Sequence, residues 1–535
     1  MGASQQEWEL EEGIPQKDDP FIQQYLRGRA SLIVEEQKQR HDFTLHKALS
    51  PIAATACKIV SKIRARDLKL PSEQVEKSDL WRILRRMPKG SLLHAHLHTL
   101  VDVDFLVNLA FSTPGICIAA PAAFVVESDY DSAPFYFRYS SHSDQGTDEP
   151  TLWEPSYRPS TLIPLQQAAS KFPNGGEPCF REWLQARCLA RSECLPHGNN
   201  ADRTVNSLLT YEPILRASLR HIYGHLAIDA VKYIEIRHSF DLPFQREANN
   251  EPAEDSFMDW CRVFQDEVNS FKATDDGHSF HGARVIWTSN RLSFSRYVFD
   301  DMVQCILAKT EFPDVICGFD VMGQDSDRPL TDLVPILFWF RRQCMEEGVD
   351  IPFLFHAGDY QSDTGQVESN AFDAILLGSR RIGHGLSLYK HPLLIDLAKE
   401  KKILLECCPE SGGQAMQADS SSSSLPALLS RGASVALCHD SAAASKRNTG
   451  IVTSRFWKTL VTSGDMGLTD LAMMAENSVR WSCLADQPSS EWLSDIRQGI
   501  LGEGMKAIRL REWYSEFERF CEWIALEFAE EDIDD

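Results

Sequence analysis

"GSLLHAHLHTL" (residues 90–100) places His94, His96 and His98 at every second position of an otherwise apolar run. Side chains two apart on a strand point the same way, so the spacing predicts three imidazoles on one face of a buried strand. A histidine among apolar neighbours is ordinarily a hydrogen-bonded core residue. The rest of the chain decides between that reading and a functional one.

Seven further short apolar runs follow: "KYIEIRHSF" (232–240), "RVIWTSNR" (284–291), "DVICGFDVMG" (314–323), "IPFLFHAGD" (351–359), "SRRIGHG" (379–385), "KKILLECCP" (401–409) and "ASVALCHD" (433–440). Stretches of helical period such as "DLVPILFWFRRQCMEEG" and "NAFDAILLG" lie between them. Near-continuous apolar strands alternating with helices imply a parallel sheet covered on both faces. With the histidine run there are eight, the number that closes an α/β barrel of the (β/α)8 TIM type. An open doubly wound sheet is the alternative, but no GxGxxG follows the first strand.

The flanks divide the chain further. Residues 1–85 read as an N-terminal helical extension, helical in period from about Phe21 to Ile63. Residues 86–525 form the barrel domain, and a Pro-, Ser- and aromatic-rich stretch at about 115–200 reads as an ordered insertion after strand 1. Residues 526–535, ending "FAEEDIDD", read as a solvated acidic tail. Ser420–Ser424 read as a loop, Trp481 and Trp513 as packing, and Glu235 with Arg237 as an ion pair inside the barrel.

The 535 residues are 43% hydrophobic and 24% charged, the mix of a globular protein with a large core. Against 77 acidic residues there are 54 basic ones, and the net charge of −23 repels nucleic-acid polymers and anionic membranes. No apolar window approaches the ~18–20 residues of a membrane span. The opening "MGASQQEWELEEGIPQKDDP" has neither the basic stub nor the apolar core of a secretion signal. Glu7, Glu9, Glu11 and Glu12 give no electrostatic help to an acyl chain on Gly2. The 14 cysteines have no zinc-ribbon spacing, read as reduced core thiols, and place the protein in the cytoplasm.

A (β/α)8 barrel keeps its chemistry at the carboxyl ends of its strands. Those ends carry His94/His96, Arg237/His238, Asp320/Gly323, His356/Asp359, His384, Glu410 and Asp440. Solvation explains one polar strand end, but not a ring of imidazoles and carboxylates at one height. A His-x-His pair on strand 1, His356 and Asp440 can meet near the axis as a three-His, one-Asp set with room for water, which suits zinc. Such a metal lowers the pKa of its water and generates hydroxide. His384 then serves as base or electrostatic partner, Asp440 stands beside it, and Asp359 donates a proton to the substrate. With no lysine placed to bridge two ions, one metal is expected. The chain has no HExxH, GxSxG, P-loop, or HxE with PCxxC.

"MPKGSLLHAHLHTL", "GFDVMGQ", "FLFHAGD", "FDAILLGSRRIGHG", "ILLECCPES", "VALCHD" and "AENSVRWSCL" resemble, in order, the motifs of the adenosine deaminase family of metal-dependent amidohydrolases, especially its growth factor-related branch. The resemblance implies one Zn2+ per subunit on His94, His96, His356 and Asp440, with His384 acting on the metal's water. It also implies Gly323 offering backbone to a purine and Asp359 protonating the ring nitrogen. Members of that branch are secreted homodimers joined through their extension, so a homodimer through the N-terminal helices is implied as well. The missing signal keeps secretion from carrying over.

Three positions depart from the family pattern, and all bear on the substrate. The family's HAGE is HAGD here, shortening the donor at Asp359 by one methylene. Its Asp-Asp-Pro is Asp440–Ser441–Ala442, and His98 stands where relatives that read the ribose have Asp. Ser441 and His98 are therefore expected to line the substrate pocket, His98 alternatively capping the barrel wall. The expected function is hydrolytic deamination of adenosine or a related aminopurine nucleoside. The alternatives are the same chemistry on another small-molecule C–N bond, or a silent binding or signalling relative.

Overall fold

The computed structural model describes residues 18–141, 151–173, 175–189, 200–323, 328–358, 365–408, 421–440, 450–464 and 466–532. Eight parallel strands make the core: β1 (Gly90–His96), β2 (Val231–His238), β3 (Gly282–Asn290), β4 (Ile316–Met322), β5 (His356–Ala357), β6 (Arg381–His384), β7 (Leu404–Cys407) and β8 (Val435–Leu437). They pair as two four-stranded sheets, β1-β2-β3-β4 and β8-β7-β6-β5. Two seams join the sheets. At the first, Phe319 N donates to Pro352 O at 2.9 Å and Leu354 N to Phe319 O at 3.0 Å; at the second, His439 N donates to His94 O at 3.0 Å. The barrel is thus closed, with no edge left to pair elsewhere. An open sheet would leave β1 and β8 unpaired with each other.

The first strand ends sooner than its spacing predicts. β1 stops at His96, and Leu97–Leu100 forms a helical turn. His98 therefore leaves the strand face shared by His94 and His96, and its Nε2 lies 3.4 Å from Asp202 Oδ1. Thr99 Oγ1 donates to His96 O at 2.9 Å and ties the turn to the strand end.

Between β1 and β2 the chain builds a small antiparallel sheet in which Ile116–Ala119 pairs with both Tyr136–Tyr139 and Ile163–Pro164. Beneath it Phe124, Trp153, Phe172, Phe180 and Trp183 pack ring to ring at 5.0–6.3 Å. The aromatic richness seen in the sequence is the core of this insertion.

The extension starts with α1 (Pro20–Gln37), capped by Asp19, whose carboxylate accepts from Phe21 N at 2.8 Å. None of its residues is buried, and Phe21, Tyr25 and Leu32 are exposed. α2 (Phe43–Ala48) and α3 (Pro51–Asp67) follow. α3 opens on a Ser50 cap and Pro51, and buries Ala53, Ala56, Ile59, Val60 and Ile63. It packs on α5 (Met505–Glu527), which with α4 (Leu468–Arg480) closes the amino-terminal side of β1. Leu526 and Glu527 complete α5, and Phe528 is buried with its ring 5.7 Å from that of Trp523. The acidic end is thus anchored by an aromatic residue before any solvated tail begins. The serine run likewise enters a helix, Ser421–Ser430. Trp481 and Trp513 are buried and donate to the carbonyls of Lys402 and Pro88 at 2.7 and 3.0 Å. Among the described residues no helix is long and apolar enough to cross a membrane.

Gly90 opens β1 at φ +72°, and a Cβ there would stand 2.7 Å from the Ala475 carbonyl oxygen of α4. Left-handed backbone and overpacking both disfavour a side chain. Gly90→Ala is expected to lower the unfolding free energy by about 2–4 kcal/mol, read as a lower urea midpoint at unchanged slope.

Candidate functional site

β1 delivers His94 and His96, β5 His356, β6 His384, and the segment that follows β8 delivers Asp440, three residues past Leu437, all at the carboxyl end of the barrel. Asp440 lies among the rings. Its Oδ2 is 3.8 Å from His94 Nε2 and 3.2 Å from His384 Nε2, and its Oδ1 is 3.6 Å from His96 Nε2. Ligand atoms of His94, His356, His384 and Asp440 lie within 4.8 Å of one another. His96 Nε2 joins them at 3.3 Å from His356 Nε2. The structure brings together all four residues expected to hold metal and the histidine expected to work beside them.

Two carboxylates fix the rings. His94 Nδ1 lies 2.9 Å from Glu406 Oε2, and His356 Nδ1 lies 2.6 Å from Asp320 Oδ2. A carboxylate only accepts, so each Nδ1 carries the proton and each Nε2 turns a lone pair inward. Among the described residues the buried His94 Nε2 has no hydrogen-bond partner. Burial, reinforced by Arg237 and the other imidazoles, holds His94 well below the usual histidine range. Burial does the same to His96, against the opposing pull of Asp440. The Asp440 carboxyl would rise on burial alone, but His96, His384 and His356 hold it far below the ordinary range. Imidazoles gathered around a carboxylate are the donor set of a divalent cation.

Under the rings runs a fully buried chain of charges. Arg237 donates to Asp320 at 2.7 Å through Nε and to Glu406 at 2.8 Å through a terminal nitrogen. Arg381 donates to Glu406 at 2.6 Å and, through another nitrogen, to Glu235. Glu235 and Arg237 are therefore not each other's partners: two apart on β2, they serve different levels of the barrel, Glu235 through Arg381 and Arg237 directly beneath the rings. Burial would raise the Asp320 carboxyl, but His356 and Arg237 hold it far below its normal value.

Glu406 and Arg381 are the functional residues that strand-end reasoning misses, since Glu406 sits inside β7 and Arg381 opens β6 at its amino-terminal end. The signal for Glu406 was a single charge within "ILLECC". Of the other expected residues, Gly323 follows β4 at φ +127°, which favours glycine, and is exposed. The His98 ring is 5.6 Å from that of His96. His238 stacks on Trp260 at 4.4 Å, and burial, with His98 nearby, pushes it down to about 3. Asp359, Ser441 and Glu410 lie outside the described residues.

A closed parallel barrel with oriented imidazoles and a carboxylate at its carboxyl end defines an α/β-barrel protein equipped to hold a divalent cation. The chain belongs to the adenosine deaminase family, whose model, described as "Adenosine deaminase", matches residues 154–498. That match begins beyond β1, so His94 and His96 lie outside it. Adenosine deaminase of Lutzomyia longipalpis is 29% identical over 355 residues, 63% of this chain and 62% of that protein. Adenosine deaminase 2-A of Danio rerio is 26% identical over 435 residues, 78% of this chain and 80% of that one. Among solved structures, an Arabidopsis N6-mAMP deaminase aligns with a TM-score of 0.48 at 14% identity, covering 78% of this chain and all (100%) of that chain.

Removing one partner of a buried ion pair strands the other charge. Arg237→Met leaves Asp320 and Glu406 without their shared cation, and is expected to lower stability by about 3–5 kcal/mol in denaturant unfolding. Arg342→Met, on an exposed i,i+4 pair with Glu346, should change it by less than about 1 kcal/mol.

Proposed function

We propose that the protein is a zinc-dependent hydrolytic deaminase of adenosine or a related aminopurine nucleoside, with one Zn2+ per subunit on His94, His96, His356 and Asp440. The observation that carries this reading is the tautomer lock: Glu406 and Asp320 take the Nδ1 protons and leave two Nε2 lone pairs facing Asp440. The fit to a cation rests on the same atoms. His94 Nε2 is buried without a hydrogen bond among the described residues, and His96 and His356 bring their Nε2 atoms to 3.3 Å. A divalent cation beside them would take both nitrogens as ligands. When bound, zinc supplies the Lewis acidity that makes water a nucleophile near neutral pH.

The chain's own groups supply the rest in this reading. His384, 3.2 Å from Asp440, takes the water's proton as general base. Asp359 hands a proton to the ring nitrogen beside the carbon attacked, His384 passes the water's proton on to the exocyclic amino nitrogen, and the C–N bond breaks to release ammonia. Gly323 offers backbone to the purine, and His98 and Ser441 line the pocket. Every described cysteine is a free thiol, in keeping with the reducing cytoplasm. The apolar residues exposed along α1 support a homodimer through the N-terminal helices.

The test is ammonia release by the zinc-loaded protein across adenosine, deoxyadenosine, adenine, AMP and N6-substituted analogues. Release that falls at least about 100-fold in His384→Ala is expected. Silence across the panel with zinc bound overturns the aminopurine reading and directs the search to other C–N bonds. His356→Ala should lose the zinc equivalent at the barrel mouth and turnover while keeping the barrel's far-UV circular dichroism. Asp359→Glu should raise adenosine turnover by restoring the donor's reach.

A further inference from the structure

A second group of metal-capable side chains lies away from the barrel mouth, where the extension meets the C-terminal helices. His41 and Asp42 sit between α1 and α2, and Asp470 is in the first turn of α4. Their ligand atoms lie within 4.8 Å of one another. The His41 side chain is only 3% exposed, and among the described residues neither of its ring nitrogens has a hydrogen-bond partner of good geometry, although the Asp470 backbone lies close by. Its Nε2 points at Asp470 Oδ1 from 3.8 Å, too far for a hydrogen bond. Asp470 Oδ2 is engaged by Gly467 N at 2.7 Å, which caps α4 and leaves Oδ1 turned toward His41. The Cys57 thiol, on α3, lies within electrostatic reach of Asp470.

A buried imidazole with both nitrogens unsatisfied costs free energy, and packing does not require it. Here it faces two buried carboxylates, a combination that nitrogen- and oxygen-coordinated zinc satisfies. The present counter-charge is Arg40, whose Nε is 3.0 Å from Asp42 Oδ1 and whose terminal nitrogen is 3.6 Å from Asp470 Oδ1. The Arg40 side chain is 42% exposed, so it can swing into solvent when another cation arrives.

We propose that His41, Asp42 and Asp470 form a second divalent-cation site, of the zinc class, that clips the N-terminal extension to α4 of the barrel domain. The clip joins residues more than four hundred positions apart. Closing so long a loop ties metal binding to the docking of the extension. Arg40 and the cation compete for the same two carboxylates.

The experiment counts zinc rather than turnover, so it stands apart from the deaminase reading. Full-length protein is stripped with chelator, reloaded with Zn2+ alone, desalted, and its bound zinc per chain measured. His41→Gln and Asp470→Asn are each expected to lose one equivalent that His356→Ala retains. Both are chosen to keep the side-chain volume, and Asp470→Asn also keeps an acceptor for Gly467 N. Arg40→Gln should bind the His41-dependent equivalent several-fold more tightly, whereas an ion-pair cluster with no metal would gain nothing. Zinc should also raise the melting temperature of His356→Ala, and fail to do so in His356→Ala/His41→Gln. Unchanged zinc content in folded His41→Gln and Asp470→Asn, or full loss of zinc in His356→Ala, overturns the site.

Discussion

The arrangement at the barrel mouth depends on one guanidinium. Arg237 touches Asp320 with one nitrogen and Glu406 with another, and those two carboxylates orient His356 and His94. In a low-dielectric interior such contacts are strong when complete and costly when broken. Ionised carboxylates define the tautomers, and the tautomers define which ring atoms face inward. The same guanidinium donates to the carbonyls of Leu93 and Leu354, and so holds the backbone of the ligand-bearing strands as well. Arg381 repeats the device one level lower, between Glu406 and Glu235.

The barrel was legible because its strands are short apolar runs at regular intervals, and their ends were legible because polar groups recur there. His94, His96, His356, His384 and Asp440 all come from that rule, and the structure gathers them. What escaped has physical reasons. Glu406 lies within its strand and Arg381 at the amino-terminal start of its own, where sequence cannot distinguish a solvated charge from one neutralised across the barrel. The turn at Leu97–Leu100 is too short to show a period, so His98 read as strand. Glu235 and Arg237 looked like a pair because they are adjacent on one face, but the partners that satisfy them come from β4, β6 and β7. Phe528 is buried while Leu526, Glu527, Ala529 and Glu530 around it are exposed, because burying its ring gains more than exposing it.

The N-terminal extension is not of one kind. α3 is fused to the barrel's own helices through an apolar stripe that meets α5, whereas α1 carries its apolar side chains in the open. Between them the chain descends to α4 through Arg40, His41 and Asp42, and His41 N donates to Leu429 O at 3.0 Å. The extension is therefore held at two levels, by packing along α3 and by polar groups in the loop before it. Whatever alters that loop reaches α1 directly and the barrel through α4.

The second seam of the barrel, where His439 N donates to the carbonyl of His94, joins the first strand to the last. That bond lies beside two of the groups expected to hold the metal, His94 and Asp440. Barrel closure and assembly of the donor set are thus one event, and it awaits the final strand. A chain emerging from the ribosome presents its His-x-His pair long before its aspartate exists. Only a barrel closed by its last strand has the full donor set, so assembly of the site reports on closure of the barrel.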